Sequence, residues 1–189
     1  YNQKPQLERS MHSLNADFHP FRKLVTISVT LASAFLFRGL NTLHTFNLNT
    51  LHHYIQNRDK DTGLLTVMNH KSVFDDPLLT STLIPLGITL WNQSKLRWGV
   101  CAADICFRSN SHSLKTMFLH ECILAGKVLP IVRLGGLNQI ELKVASHVLC
   151  RGDWLHLYPE GRCEQKSRIE LIRHGIAKVV VMNVMETGK

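Results

Sequence analysis

The chain lacks any apolar run long enough to cross a bilayer. Its longest uncharged apolar stretch, Leu24 to Phe37, has 14 residues, and a helix of that length spans about 21 Å, short of the roughly 30 Å hydrocarbon core. Cysteine pairs at metal-ligand spacing are also missing. The five cysteines (Cys101, Cys106, Cys122, Cys150, Cys163) include no C-x-x-C pair and no zinc pattern with the histidines. Their odd number and their apolar surroundings fit free thiols, so neither a disulfide scaffold nor a metal site is expected. Internal repeats, linkers, biased tracts and a Gly-x-Ser-x-Gly elbow are absent too. Glycine and proline occur at ordinary frequency, and the composition is 44% hydrophobic and 19% charged, which excludes disordered and collagen-like chains. Over 189 residues this allows one core and hardly two.

What is present in excess is positive charge. Lys plus Arg number 22 against 14 Asp plus Glu, a formal charge of +8, which favours anionic partners such as nucleic acid or phospholipid surfaces. No nucleic-acid recognition motif accompanies it, so nucleic acid is not expected as a partner.

Apolar β-rich runs occur at Leu64 to Met68, Arg97 to Cys101, Val128 to Val132 and Trp154 to Tyr158, with a looser strand-like alternation from Leu43 to Leu48. Helical patterns lie at about 50–58, 77–84, 112–125, 138–150 and 169–183. Strands separated by single helices predict an α/β domain over 43–189 with a mostly parallel sheet flanked by helices, preceded by an N-terminal segment (1–42) holding an apolar helix. That helix, flanked by Arg22-Lys23 and Arg38, reads either as an interfacial anchor or as a buried core helix. In parallel sheets chemistry collects beyond the carboxyl ends of the strands.

Two motifs sit at such ends. After the first strand comes Asn69-His70-Lys71-Ser72-Val73-Phe74-Asp75-Asp76-Pro77. A turn of this length can fold back so that Asp75 accepts from one imidazole nitrogen of His70, leaving the other to take a proton from a substrate hydroxyl. The plainer alternative is that Asp75 or Asp76 caps the helix entered at Pro77. Ser72 is a rival nucleophile without an elbow to expose it. After the fourth strand comes Tyr158-Pro159-Glu160-Gly161-Arg162. Here glycine permits close backbone approach and Arg162 offers a planar fork for phosphate, while Arg133 ends the third strand on the same edge. An exposed Arg162–Glu160 ion pair and a solvated Arg133 are the plainer alternatives.

In this order the motifs resemble the glycerolipid acyltransferase superfamily, with its His-x4-Asp and Glu-Gly-x-Arg blocks, from about Leu43 to Lys178. Asp75-Asp76-Pro77, Trp91-Asn92 with Leu96-Arg97-Trp98, Ala102 to Phe107, Gly152-Asp153-Trp154 and Gly175-Ile176 are similar to the branch that exchanges acyl chains between phospholipids and lysophospholipids, cardiolipin and monolysocardiolipin above all. That resemblance implies His70 as base, Asp75 as its orienting partner, and Arg133, Glu160, Gly161 and Arg162 as holders of the lipid glycerol and phosphate. It implies no cofactor and no metal, phospholipid and lysophospholipid substrates, a surface of anionic lipid reached through Lys166, Arg168, Arg173 and Lys178 besides Arg162, and a peripheral or interfacially anchored place on mitochondrial membranes.

Two alternatives stand beside this reading: an acyl-CoA-dependent lysophospholipid acyltransferase, and a catalytically silent lipid-binding or scaffolding relative. The superfamily's Glu-Gly-Thr-Arg is here Glu160-Gly161-Arg162-Cys163, which leaves two places open for Arg162. The apolar, proline-containing fourth block does not follow the last helix, so the chain is expected to be incomplete at its C-terminal end.

Overall fold

The computed structural model describes residues 8, 20–107, 113–166, 168–169 and 171–188. Among these residues four short strands run parallel: β1 (Leu64–Val67), β2 (Gly99–Ala102), β3 (Val128–Ile131) and β4 (Trp154–Leu157). β1 pairs with β4, Leu64 opposite Trp154, and β2 pairs with β3, Gly99 opposite Val128. A bridge from Trp98 to Leu155 joins the two pairs, with Trp98 N–H donating to the Trp154 carbonyl and His156 N–H to the Trp98 carbonyl. The resulting order is β1-β4-β2-β3, and every carboxyl end lies on one edge. This is the α/β architecture with a parallel sheet that the alternation of patterns implies.

The α-helices among the described residues are α1 (Pro20–Ala34, continued by a wider turn at Phe35–Gly39), α2 (Leu48–Asn57), α3 (Thr80–Leu83), α4 (Leu86–Trp91), α5 (Ala103–Cys106), α6 (Leu114–Ala125), α7 (Ile140–Cys150) and α8 (Gly175–Thr187). Both faces of the sheet are covered, as a parallel sheet requires. On one face Leu155 and Leu157 of β4 pack with Trp98, Leu129, the α7 residues Val144, Ala145, Val148 and Leu149, and Val179 of α8. On the other, Trp154 packs with Ile55, Ile84 and Leu96. Successive side chains of a strand point to opposite faces. Trp154, His156 and Tyr158 therefore share a side, and that side leads from the core to the edge.

Gly152 is placed by close approach. Its φ is +79°, and a Cβ there would lie 1.7 Å from the Lys60 carbonyl, so the turn between α7 and β4 admits only glycine.

Three expectations need correction. Leu43 to Leu48 forms no strand, because the segment finds no neighbouring edge and ends in the bend that starts α2. The last helix begins at Gly175 and runs to Thr187, later than the apolar pattern implied. The five thiols are not all free: Cys101 and Cys106 form a disulfide. β2 ends at Ala102 and α5 turns straight back, which brings the two Cα atoms to 6.1 Å, inside the range a bridge needs. Cys122, Cys150 and Cys163 remain free.

α1 is amphipathic in the reverse of the usual sense. Arg22, Thr30 and Ser33 are buried, while Phe21, Leu24, Leu31 and Phe35 are exposed. Its polar side is used for docking: Arg22 Nε donates to the Ala125 carbonyl at 3.3 Å and Thr26 Oγ1 to Gln93 Oε1 at 3.1 Å. Arg22 and Lys127 both lie over the Trp98 ring, at 5.4 and 5.3 Å. Burial pushes the Lys127 ammonium down to about 7, and its Nζ donates to the carbonyls of Ser94 and Leu96. No helix among the described residues is long and apolar enough to cross a membrane.

Candidate active site

The turn after β1 is built around one carboxylate oxygen. Asp75 Oδ2 accepts from the backbone N–H of Lys71 and of Ser72, each at 2.8 Å, and lies 3.1 Å from His70 Nδ1. Two amides converging on that oxygen hold it as an acceptor, so Nδ1 carries the proton and donates. Nε2 is then left with a free lone pair. Asp75 is buried, and the His70 side chain is 20% exposed. The Ser72 hydroxyl accepts from Phe74 N–H at 3.1 Å, and no hydrogen bond links it to His70 among the described residues.

Neither aspartate caps a helix, because each is spent elsewhere. Asp75 closes the His70 turn, and Asp76 faces the buried Arg97. Arg97 donates through Nη1 to Asp76 Oδ2 at 3.3 Å, through Nη2 to Asp76 Oδ1, and through Nη2 to Thr80 Oγ1 at 2.6 Å. Arg97 and Tyr158 stand within the matched motifs, but the sequence pattern gave neither of them a role at the site. Both stand in runs that read as strand, and their partners lie on other elements.

The second motif folds over the first. Glu164 N–H donates to the His70 carbonyl at 2.8 Å, and Lys71 Nζ donates to the carbonyls of Lys166 and Arg168. Gly161, at φ +68°, makes the turn, and the Arg173 side chain packs over it, its Cγ 3.5 Å from where a Cβ would be. Tyr158 stacks on His70 with ring centroids 4.2 Å apart. Glu160 is 2% exposed, and both its carboxylate oxygens lack a hydrogen-bond partner among the described residues. A carboxylate kept there with open acceptors is unusual in a folded chain.

The two arginines expected at the edge are engaged with carboxylates. Arg133 forms a two-pronged contact with Asp104, through Nε to Oδ1 at 3.1 Å and Nη2 to Oδ2. Arg162 Nε pairs with Glu164 Oε1 at 2.6 Å rather than with Glu160. Thus His70, Asp75, Glu160 and Gly161 are gathered at the ends of β1 and β4, with Arg162 beside them, whereas Arg133 stands at the end of β3, beyond β2. No group of three or more His, Cys, Asp or Glu side chains among the described residues converges as a metal site.

His156 lies one step behind Tyr158 and is buried. Its pKa is lowered from 6.5 to about 4, chiefly by burial and then by the Arg97 charge, with Asp76 opposing. A base depressed in the folded state makes the unfolded chain the better proton acceptor, so stability should fall as pH drops from about 6.5 to about 4. Over the whole window this amounts to on the order of 3 kcal/mol. Urea midpoints taken at pH 7, 5.5 and 4.5 should fall less steeply for His156→Gln than for the wild type. Parallel slopes would mean that His156 does not carry this dependence.

Residues 49–185 match the family model described as Acyltransferase. The chain belongs to the acyltransferase family. It is similar to Tafazzin of Drosophila melanogaster, 34% identical over 158 residues that cover 84% of this chain and 39% of that protein. It is similar to N-acylphosphatidylethanolamine synthase of Arabidopsis thaliana, 31% identical over 84% of this chain and 53% of that protein. It is likewise similar to Taffazin of Dictyostelium discoideum, 31% identical over 79% of this chain and 50% of that protein. The chain thus spans about two-fifths to one-half of the length of these relatives.

Proposed function

We propose that this acyltransferase-family chain moves an acyl group from one phospholipid to the free hydroxyl of a lysophospholipid, with His70 as general base. The observation that carries the reading is the fixed Asp75 oxygen, which sets the imidazole with Nδ1–H inward and Nε2 available. Nε2 takes the proton of the acceptor hydroxyl as its oxygen attacks the ester carbonyl of the donor. The tetrahedral intermediate collapses, the donor's ester C–O bond breaks, and Nε2 returns the proton to the departing alkoxide. A new ester replaces the old one, so the exchange is nearly balanced in free energy and runs in both directions.

Glu160 and Gly161 are assigned to the glycerol, the buried carboxylate accepting from a lipid hydroxyl. Arg133 and Arg162 are assigned to phosphate. The Arg133–Asp104 pair is no barrier, since an exposed ion pair contributes about 0 to 1 kcal/mol, and the Arg162 guanidinium is half exposed beside Glu164 and open to a phosphate. The similarity to tafazzins supports cardiolipin-type lipids as the physiological pair and a mitochondrial membrane as the place. The outward apolar side of α1, with Leu24 and Leu31 exposed between Lys23 and Arg38, supports docking into one leaflet.

A second reading of the acceptor comes from the Arabidopsis relative, whose name states an N-acylated product. The same base could deprotonate the amine of phosphatidylethanolamine and leave an amide in place of the donor's ester.

The test uses the chain extended to the length of its relatives, on vesicles of labelled phosphatidylcholine with lysophosphatidylcholine, monolysocardiolipin or phosphatidylethanolamine as acceptor, with and without acyl-CoA. Exchange between phospholipids without acyl-CoA is the expected result. Dependence on acyl-CoA would move the chain to the thioester-using enzymes, and an amide product would select the second reading. Leu24→Glu with Leu31→Glu should release the protein from the same vesicles, whereas unchanged flotation would remove α1 from the docking surface.

A further inference from the structure

The hydrogen bond to Asp75 fixes one atom of the His70 ring, but it does not fix the ring's plane. Coupled changes in the two side-chain torsions could tilt the ring about the Nδ1···Oδ2 line and re-aim the Nε2 lone pair while keeping Nδ1 near Asp75 Oδ2. A general base needs a set direction as well as a set tautomer, since a proton moves efficiently only along a short, aligned path. The second constraint is visible in the structure. The Tyr158 ring lies against the imidazole at 4.2 Å between centroids, with 28° between the planes.

Tyr158 is itself held. His156 meets it edge to face, at 4.9 Å and 90°. His156 Nδ1 lies 2.8 Å from Thr66 Oγ1, and Trp154 Nε1 donates to that same hydroxyl at 2.8 Å. Thr66 and His156 stand opposite each other in the β1–β4 register. A run of contacts therefore leads from the paired strands β1 and β4 to the imidazole, with Tyr158 standing directly after the last residue of β4. The phenol hydroxyl takes no part, because Tyr158 Oη is buried without a hydrogen-bond partner among the described residues. What Tyr158 offers His70 is its face.

We propose that Tyr158, braced by His156 and Thr66, is a positioning residue that sets the plane of the His70 imidazole and so aims Nε2 at the acceptor. This rests on the reading of His70 as the general base. An aromatic face also favours a ring that becomes cationic when it takes the proton. The benefit should therefore be larger in the transition state than in the ground state and should show in kcat rather than KM.

The experiment compares Tyr158→Phe, Tyr158→Leu and His70→Ala, alone and combined, in the extended protein on mixed micelles of labelled phosphatidylcholine and lysophosphatidylcholine. Tyr158→Leu should lower kcat by about 10- to 100-fold with KM little changed, and Tyr158→Phe should keep the wild-type kcat. In the His70→Ala background Tyr158→Leu should cost nothing more, since its action runs through the missing ring. In proton NMR the His70 ring signals should be shifted upfield in the wild type and in Tyr158→Phe.

Wild-type kcat in Tyr158→Leu alongside an inactive His70→Ala would overturn the positioning role and leave the base in place. An active His70→Ala would overturn the base reading itself. A Phe variant as damaged as the Leu variant would assign the effect to the hydroxyl and also end the proposal. If Tyr158→Leu fails to fold, as judged by circular dichroism, the NMR shift and the Phe variant decide: an unshifted His70 ring or an inactive Tyr158→Phe rejects the proposal.

Discussion

His70→Ala should lower acyl transfer by a factor of about 10² to 10⁴ with little loss of thermal stability. The side chain is partly exposed at a strand end, with Tyr158 stacked on one face of its ring. The backbone carbonyl, which accepts from Glu164 N–H and ties the two motifs together, is untouched by the substitution. What disappears is the nitrogen proposed to take the acceptor's proton. Asp75→Asn should reduce the rate nearly as much for a different reason. An amide oxygen can still receive the N–H groups of Lys71, Ser72 and His70 that meet at Oδ2, but it carries no charge to stabilise the imidazolium that forms. Ser72→Ala should remain active, because its hydroxyl is turned to Phe74. Rates of phosphatidylcholine-to-lysolipid exchange with the three variants check all of this. An undiminished His70→Ala would remove the base, and an inactive Ser72→Ala would restore the nucleophile.

Arg97→Met should be the most destabilising single change near the site, by roughly 3–5 kcal/mol. Arg97 is buried and spends two of its guanidinium nitrogens on Asp76 and Thr80. Its removal leaves the Asp76 carboxylate, 20% exposed, without its counter-charge and too enclosed for water to replace it fully. Because Asp76 follows Asp75 directly, the His70 turn should loosen and activity should fall with stability. Lys at this position would bring the charge without the planar fork and should recover only part of the loss. The double variant Asp76→Asn with Arg97→Met should be less destabilised than the sum of the two single variants, since it removes the unpaired charge. Urea denaturation of the four proteins measures this coupling. A loss under about 1 kcal/mol for Arg97→Met would mean that the pair is solvated after all, as exposed pairs are.

Much of the frame was legible in residue order. Each of the four runs read as strands from Leu64 onward overlaps a strand, and the helices α2, α6 and α7 fall within about two residues of their patterns. Alternation and helical spacing are local properties, set by which side chains must face a core, and they survive in any arrangement of the elements. The contact between His70 and Asp75 was legible for the same reason, because five residues are enough to close a turn on themselves. Misreadings came where a local pattern lacked a partner. Leu43 to Leu48 alternates but meets no sheet edge, and the Cys101–Cys106 bridge depends on the angle between β2 and α5 rather than on a cysteine motif.

By itself, then, the sequence determined an α/β chain with a parallel sheet, with the His70 and Glu160 motifs at strand ends and an apolar helix ahead of them. Tertiary structure alone decided the order β1-β4-β2-β3, which seats the Tyr158 motif next to the His70 motif although 88 positions separate the two residues. It also decided that Arg133 faces Asp104, that Arg162 faces Glu164, that Arg97 clamps Asp76 and that α1 turns its polar side inward. The physical reason is the same in each case. A charge or a ring takes whichever complementary group the packing brings within about 4 Å, at which Coulombic and stacking energies become appreciable. That neighbour is chosen by how the strands cross, which no local spacing records.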